Sequence, residues 1–148
     1  MSLSNLNHSI SSPIENNFKS EANTTLLDSR TILLIDDEEM VVKITEAMLK
    51  KIGCKILKAA NGHEGLKLFQ RYRNIIDLII CDMIMPKMDG LQLVHKLREI
   101  DPRVKVLLSS GRLIDEDEKD VANRGFDGLI KKPYKLNDLS EKIGNILR

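Results

Sequence analysis

Four short clusters in this 148-residue chain carry side chains able to do chemistry: Asp36-Asp37-Glu38, Asp82, Ser109-Ser110-Gly111 and Lys131-Lys132-Pro133. Each follows directly on an apolar run, so each is expected where a buried strand ends. Aspartates gathered at one such edge repel one another; either a cation is bound among them or one is protonated. Carboxylates without His or Cys suit a hard, oxygen-seeking ion. A sparse, open cluster of this kind suits Mg2+ and its waters better than a Ca2+ cage. The lysine adds a fixed positive charge and the serines offer a hydroxyl donor. These are the parts that a phosphoryl group in transfer requires: charge neutralisation, positioning and a carboxylate nucleophile.

The intervening sequence supplies the elements that would position these clusters. Thr31 to Ile35 runs without polar alternation, the pattern of a strand covered on both faces. Val41, Ile44, Met48 and Ile52 form one helical stripe, with Gly53 placed to end it. Lys55 to Ala59 predicts a short strand. Asn61 and Glu64 then open a helix as cap and capping-box partner, with Leu66 and Phe69 on its inner face. Ile75 to Cys81 reads as a buried strand interrupted only by Asp77, and Leu91, Val94 and Leu97 as the helix that follows Asp89-Gly90. Val104 to Leu108 and Phe126 to Ile130 predict two more strands. Asp115 to Arg124 predicts a helix with acids in its first turn, and Leu136, Leu139, Ile143 and Ile146 a last helix. Strand–helix pairs in this order require a parallel sheet with right-handed crossovers and helices on both faces. The chain is too short for a closed barrel of such units, which leaves an open, doubly wound sheet. Ligands of such sheets lie beyond the carboxyl ends of the strands, where the strand order reverses.

Composition narrows the function classes. Lys and Arg number 23 against 22 Asp and Glu, a net charge of +1, so the chain lacks the basic excess that nucleic-acid or anionic-membrane binding exploits. Cys54 and Cys81 are too few for a zinc site or a disulfide framework, and each reads as a buried thiol. His8, His63 and His95 have no partners at metal spacing and read as surface residues, none of them a relay histidine. Met83, Met85 and Met88 read as loop packing. A basic-then-apolar leader and a membrane-length apolar run are both lacking, so the chain is expected in the cytoplasm. Residues 1–29, rich in Ser and Asn, carry too little apolar surface to offset chain entropy. They read as a disordered tail or linker before a folded domain over 30–148.

The strand-end clusters, taken in order, resemble the receiver domain of two-component response regulators over nearly all of residues 30–148. The segments that carry the likeness are Ile32-Leu33-Leu34-Ile35-Asp36-Asp37-Glu38, Asp82-Met83-Ile84-Met85-Pro86-Lys87-Met88-Asp89-Gly90, Leu108-Ser109-Ser110-Gly111 and Lys131-Lys132-Pro133-Tyr134. The resemblance implies a flavodoxin-like (βα)5 fold with strand order 2-1-3-4-5. It also implies an aspartate that takes a phosphoryl group from a sensor histidine kinase or phosphotransfer protein, with Mg2+ required. By the same resemblance Asp82 is the phospho-acceptor, and Asp37 ligates Mg2+ directly. Asp36 does so directly or through water, and Asp82 and the backbone carbonyl of Ile84 complete the protein ligands. Ser110 hydrogen-bonds the phosphoryl group and Lys132 pairs with it. Ser110 is preferred to Ser109 because a small residue, here Gly111, follows the family's hydroxyl position, and Lys132 to Lys131 because it directly precedes Pro133. The family's Lys-Pro bond is cis. One departure is Leu129, which stands where the family often has an aromatic residue that swings inward on activation. The output is expected from a switch in the surface of the fourth helix, fifth strand and fifth helix, read by a downstream effector protein. That fourth helix has few apolar residues beyond Leu113, Ile114 and Val121. The sequence fits a stand-alone regulator or the receiver part of a hybrid sensor kinase.

Each cluster has a plainer reading. Asp36-Asp37-Glu38 alone would be an acidic first turn of a helix, Asp89-Gly90 a turn and cap, and Lys132 a solvated lysine. Among enzymes, a Mg2+-dependent phosphatase of the haloacid-dehalogenase type also uses a strand-end aspartate. That family wants Asp-x-Asp where this chain has Asp36-Asp37-Glu38, and it wants a cap. A flavin carrier on the same fold needs a hydroxyl-rich phosphate loop where this chain puts three acids, and the glycine fingerprints of nucleotide sites are missing.

Overall fold

A computed structural model describes residues 27–111 and 118–148. The elements alternate strictly: β1 (Thr31–Ile35), α1 (Glu39–Ile52), β2 (Lys55–Ala59), α2 (Gly62–Tyr72), β3 (Leu78–Asp82), α3 (Gly90–Ile100), β4 (Val106–Ser110), α4 (Glu118–Asn123), β5 (Gly128–Lys131) and α5 (Leu136–Leu147). All strand pairs are parallel, in the order β2-β1-β3-β4-β5, as the sequence led us to expect. The three central strands are buried along their whole length, whereas edge strand β2 exposes Lys55 and Lys58 and edge strand β5 exposes Lys131. Strands covered on both faces read as unbroken apolar runs, and this explains why β1 and β3 carry no polar alternation.

Alternate residues of each strand feed two cores. On one face Leu33, Ile35, Ile79 and Leu108 pack against Phe69 of α2, Leu93, Val94 and Leu97 of α3, and Val121 of α4. On the other, Leu34, Ile80, Leu107 and Ile130 pack against Leu49 and Ile52 of α1 and Leu139 and Ile143 of α5. Each fully buried aliphatic side chain in these layers contributes about 1.5–3 kcal/mol relative to exposure. Cys54 and Cys81 are buried, as the sequence suggests. Burial pushes the Cys54 thiol up to about 11 and the Cys81 thiol further in the same direction.

Several local expectations shift. Of the Val41–Ile44–Met48–Ile52 stripe, Ile52 is buried and Met48 packs against the second core, whereas Ile44 is 53% exposed; Thr45 and Leu49 complete the buried face of α1, and Met40 is 68% exposed. Two apolar rows run along this helix, and the one ending in Leu49 and Ile52 meets the sheet. Ile75 is exposed, and β3 begins only at Leu78, because Asp77 accepts the Thr31 N–H (2.8 Å) and pairs with Arg30 before the ladder starts. β4 starts at Val106, not Val104, whose carbonyl accepts from the Arg98 guanidinium. β5 likewise starts at Gly128, although Phe126 before it is buried. Leu27, placed by composition in the head, is 2% exposed and sits in the second core, with Ser29 N–H donating to Gly53 carbonyl. Residues 1–26 of that head, and Leu113, Ile114, Asp115, Glu116 and Asp117, lie outside the described residues. Among the described helices, none is long and apolar enough to cross a membrane.

Candidate functional site

The sheet order reverses between β1 and β3, and the chemistry-bearing residues collect at the carboxyl ends of these strands. Ile35 pairs with Cys81 and Asp82 with Ser109, so Asp36 leaves β1 directly beside Asp82. Asp36 is 3% exposed and fixed from three sides. Its N–H donates to Ala59 carbonyl (3.2 Å), its Oδ1 accepts from the Glu38 N–H (2.9 Å), and its Oδ2 takes a hydrogen bond from Lys132 Nζ (2.8 Å). Asp37, one residue on, is exposed.

Lys132 reaches the pair from β5. Its side chain passes Gly111, where a Cβ would meet Lys132 Cδ at 3.6 Å, and its ammonium ends 3.6 Å from Asp82 Oδ2 as well. Burial alone would lower the lysine pKa, but the Asp36 hydrogen bond and the charges of Asp36, Asp82 and Glu38 outweigh it and raise the value. Asp82 is raised too: burial is the chief cause, Asp36 adds to it, and Lys132 and the N–H groups of Ile84 and Met83 pull the other way. A carboxyl that resists ionisation in a pocket with an opposing lysine is a functional signature, because structural acids are normally placed to be satisfied.

The β3–α3 loop holds Asp82 in position. Met85 and Met88 are buried in the first core, Gly90 N–H donates to Met83 carbonyl (2.8 Å), and Asp89 caps α3 in a capping box with Gln92. Gly90 is obligatory here, since a Cβ would lie 2.6 Å from the Asp82 carbonyl oxygen and 2.9 Å from Met83 Cα. The Ile84 side chain is 47% exposed. Leu129 of β5 is buried at 5% and Lys131 is exposed, and the Lys132–Pro133 bond that follows is cis.

The structure therefore gathers Asp36, Asp37, Asp82 and Lys132 into one pocket. Ser110 ends β4 at the same edge, and its carbonyl accepts the Lys132 N–H (2.8 Å). His63 and His95 lie exposed on helices. Two features had escaped the sequence reading. Tyr134 OH and Thr45 Oγ1 are 2.8 Å apart, tying the loop after β5 to α1; a lone Thr in an otherwise apolar helix row was the available signal. Ser109 is 3% exposed and its Oγ has no hydrogen-bond partner, the one such side chain found among the described residues.

One carboxylate oxygen each from Asp36, Asp37 and Asp82 lie within 4.8 Å of one another. The donors are oxygen only, and the exposed Asp37 leaves an open side for waters, so the set fits a hard divalent ion of the Mg2+ kind. Such an ion would also offset the charge repulsion that raises Asp82.

The sequence matches the response regulator receiver domain family over residues 32–144. It is 34% identical over 119 residues to the Autoinducer 1 sensor kinase/phosphatase LuxN of Vibrio campbellii, which is 80% of this chain but 14% of that protein's length. The crystal structure of a response regulator receiver domain protein from Clostridium thermocellum superimposes with a TM-score of 0.74 at 31% identity, covering 79% of this chain and 93% of that one. A chain of the CheX-CheY-BeF3-Mg+2 complex from Borrelia burgdorferi does so with a TM-score of 0.75 at 25% identity, covering 80% and 89%.

Proposed function

The chain belongs to the response regulator receiver family of two-component systems, and we propose that Asp82 is its phospho-acceptor and a phosphohistidine of a sensor histidine kinase or phosphotransfer protein its donor. The observation that carries this reading is the Lys132 ammonium set between two carboxylates, 2.8 Å from Asp36 and 3.6 Å from Asp82, with an Asp37 oxygen in the same cluster. An Asp82 carboxylate oxygen attacks phosphorus in line. The phosphorus–nitrogen bond of the donor breaks, and its electron pair returns to the imidazole ring.

Asp37, Asp36 directly or through water, Asp82 and the Ile84 carbonyl would hold Mg2+, which when bound neutralises charge and orients phosphoryl oxygens. Lys132 exchanges its Asp36 contact for the incoming phosphoryl group, and Ser110 donates its hydroxyl to a phosphoryl oxygen. A similar chain whose complex contains BeF3 and Mg+2, at a TM-score of 0.75, supports Mg2+ as the ion. The donor docks beside the acceptor. There a groove of about 430 Å3, lined by Val41, Ile44 and Met48 of α1 and by Pro133, shares Lys132 with the site. Loss of the Lys132–Asp36 contact then reshapes the α4–β5–α5 surface that an effector protein reads, in the cytoplasm.

The test is labelling by acetyl phosphate. Wild type is expected to incorporate one phosphoryl group only when Mg2+ is present, and Asp82→Asn none. Equal labelling of Asp82→Asn refutes the acceptor assignment. The fold order and the family match leave the haloacid-dehalogenase-type phosphatase without support, and steady turnover of a phosphomonoester would be needed to revive it.

A further inference from the structure

The residues at the sheet edge fall into a row. Leu34, Ile80, Leu107 and Ile130 all face the α1/α5 core, and side chains two residues along a strand return to the same face. Asp36, Asp82, Ser109 and Lys132 therefore share that face, and Ser109 is the direct cross-strand partner of Asp82. Lys132 runs from the end of β5 past Gly111 of the β4 end to reach Asp82 and Asp36. Asp36, Asp82 and Lys132 satisfy one another. Ser109, 3% exposed, has a hydroxyl with no partner. Ser110, the next residue, pairs with Lys131 of β5 instead.

A buried hydroxyl without a hydrogen bond costs stability, and alanine in its place removes that cost. An unsatisfied group of this kind calls for an explanation. We infer that Ser109 is a positioning residue for phosphoryl transfer, its hydroxyl donating to the Asp82 carboxyl oxygen that does not carry the phosphoryl group. Adjacent strands stand about 4.8 Å apart, and a serine hydroxyl turns among three staggered wells, so rotation about one bond brings Oγ toward its neighbour's carboxylate. At rest, Lys132 and the N–H groups of Met83 and Ile84 serve Asp82. When the ammonium moves to the phosphoryl group, one Asp82 oxygen loses its ion-pair partner at 3.6 Å, and Ser109 supplies a hydrogen bond in its place.

This rests on Asp82 being the acceptor, and the experiment separates the two claims. Full-length wild type, Ser109→Ala, Ser109→Thr and Asp82→Asn are labelled with acetyl phosphate and Mg2+, and their unfolding temperatures are compared. If wild type labels and Asp82→Asn does not, the acceptor stands. Ser109→Ala is then expected to lower the maximal rate about tenfold, the worth of one hydrogen bond to a charged group, without changing the half-saturating acetyl phosphate concentration. Its unfolding temperature stays at or above that of wild type, and Ser109→Thr, which keeps the hydroxyl, restores the rate. A wild-type maximal rate in Ser109→Ala overturns the inference. So does a rate loss that follows a fall in unfolding temperature, or one that Ser109→Thr fails to rescue, since each marks Ser109 as packing alone.

Discussion

Burial and the Asp36 charge raise the Asp82 pKa above its ordinary value, so the folded protein binds a proton there more tightly than the unfolded chain. The stability that comes with the bound proton is present in full below the ordinary carboxylate pKa and is lost as pH rises through the raised one. At neutral pH the ionised Asp82 therefore works against folding. Asp82→Asn, neutral and of nearly the same shape, is expected to unfold a few degrees higher than wild type at pH 7. That gap should close as pH falls toward the ordinary carboxylate range; equal unfolding temperatures at neutral pH would contradict the assigned strain. The acids were legible in the sequence because a carboxylate that ends a buried run needs a partner. Lys132 was separable from Lys131 only through the Lys-Pro resemblance. Ser109 was passed over because two adjacent serines have the same chemistry on paper, and only strand register tells which face each occupies.

The β3–α3 loop decides where Asp82 sits, and Gly90 is its tightest point. A Cβ there would strike backbone atoms of Asp82 and Met83, which cannot move aside as a flexible side chain can. Gly90→Ala is expected to cost about 1–3 kcal/mol of stability and to slow phosphorylation even at temperatures where the variant is fully folded. Unfolding by urea and labelling by acetyl phosphate measure the two effects, and a variant unchanged in both would show that the loop adapts freely. Element existence was readable from periodicity throughout, but strand starts were not. Asp77, just before β3, accepts the Thr31 N–H at the start of β1, and Arg98 donates to the Val104 carbonyl just before β4; hydrogen bonds of this kind, between groups not adjacent in sequence, leave no local pattern. The face of α1 was legible only in part, at Met48 and Ile52, for a related reason. Its apolar residues form two rows, and Val41, Ile44 and Met48 of the outer row border the groove next to Lys132.

At the scale of the molecule, two hydrophobic layers clamp a parallel sheet whose carboxyl edge gathers like charges, so a bound Mg2+ would couple the fold's stability to its site's repulsion. An ion that binds only the folded chain stabilises it by about 2.7 kcal/mol at about 100 times its dissociation constant. That corresponds to roughly 5–11 °C for a chain of this size. Thermal unfolding with and without Mg2+ should show such a rise in wild type and none in the double variant Asp36→Asn, Asp37→Asn. A rise that survives the double substitution would move the ion elsewhere. The charge balance of +1 read from composition agrees with an acidic pocket set in an otherwise mixed surface. The most direct test of the whole account is to trap the phosphorylated protein. Borohydride reduces an aspartyl phosphate to an alcohol, and peptide mass analysis then locates the reduced carbon. Reduction is expected at position 82 alone, dependent on Mg2+ during phosphorylation. Reduction at position 36 or 37, or a phosphoryl group found on serine or histidine, would contradict it.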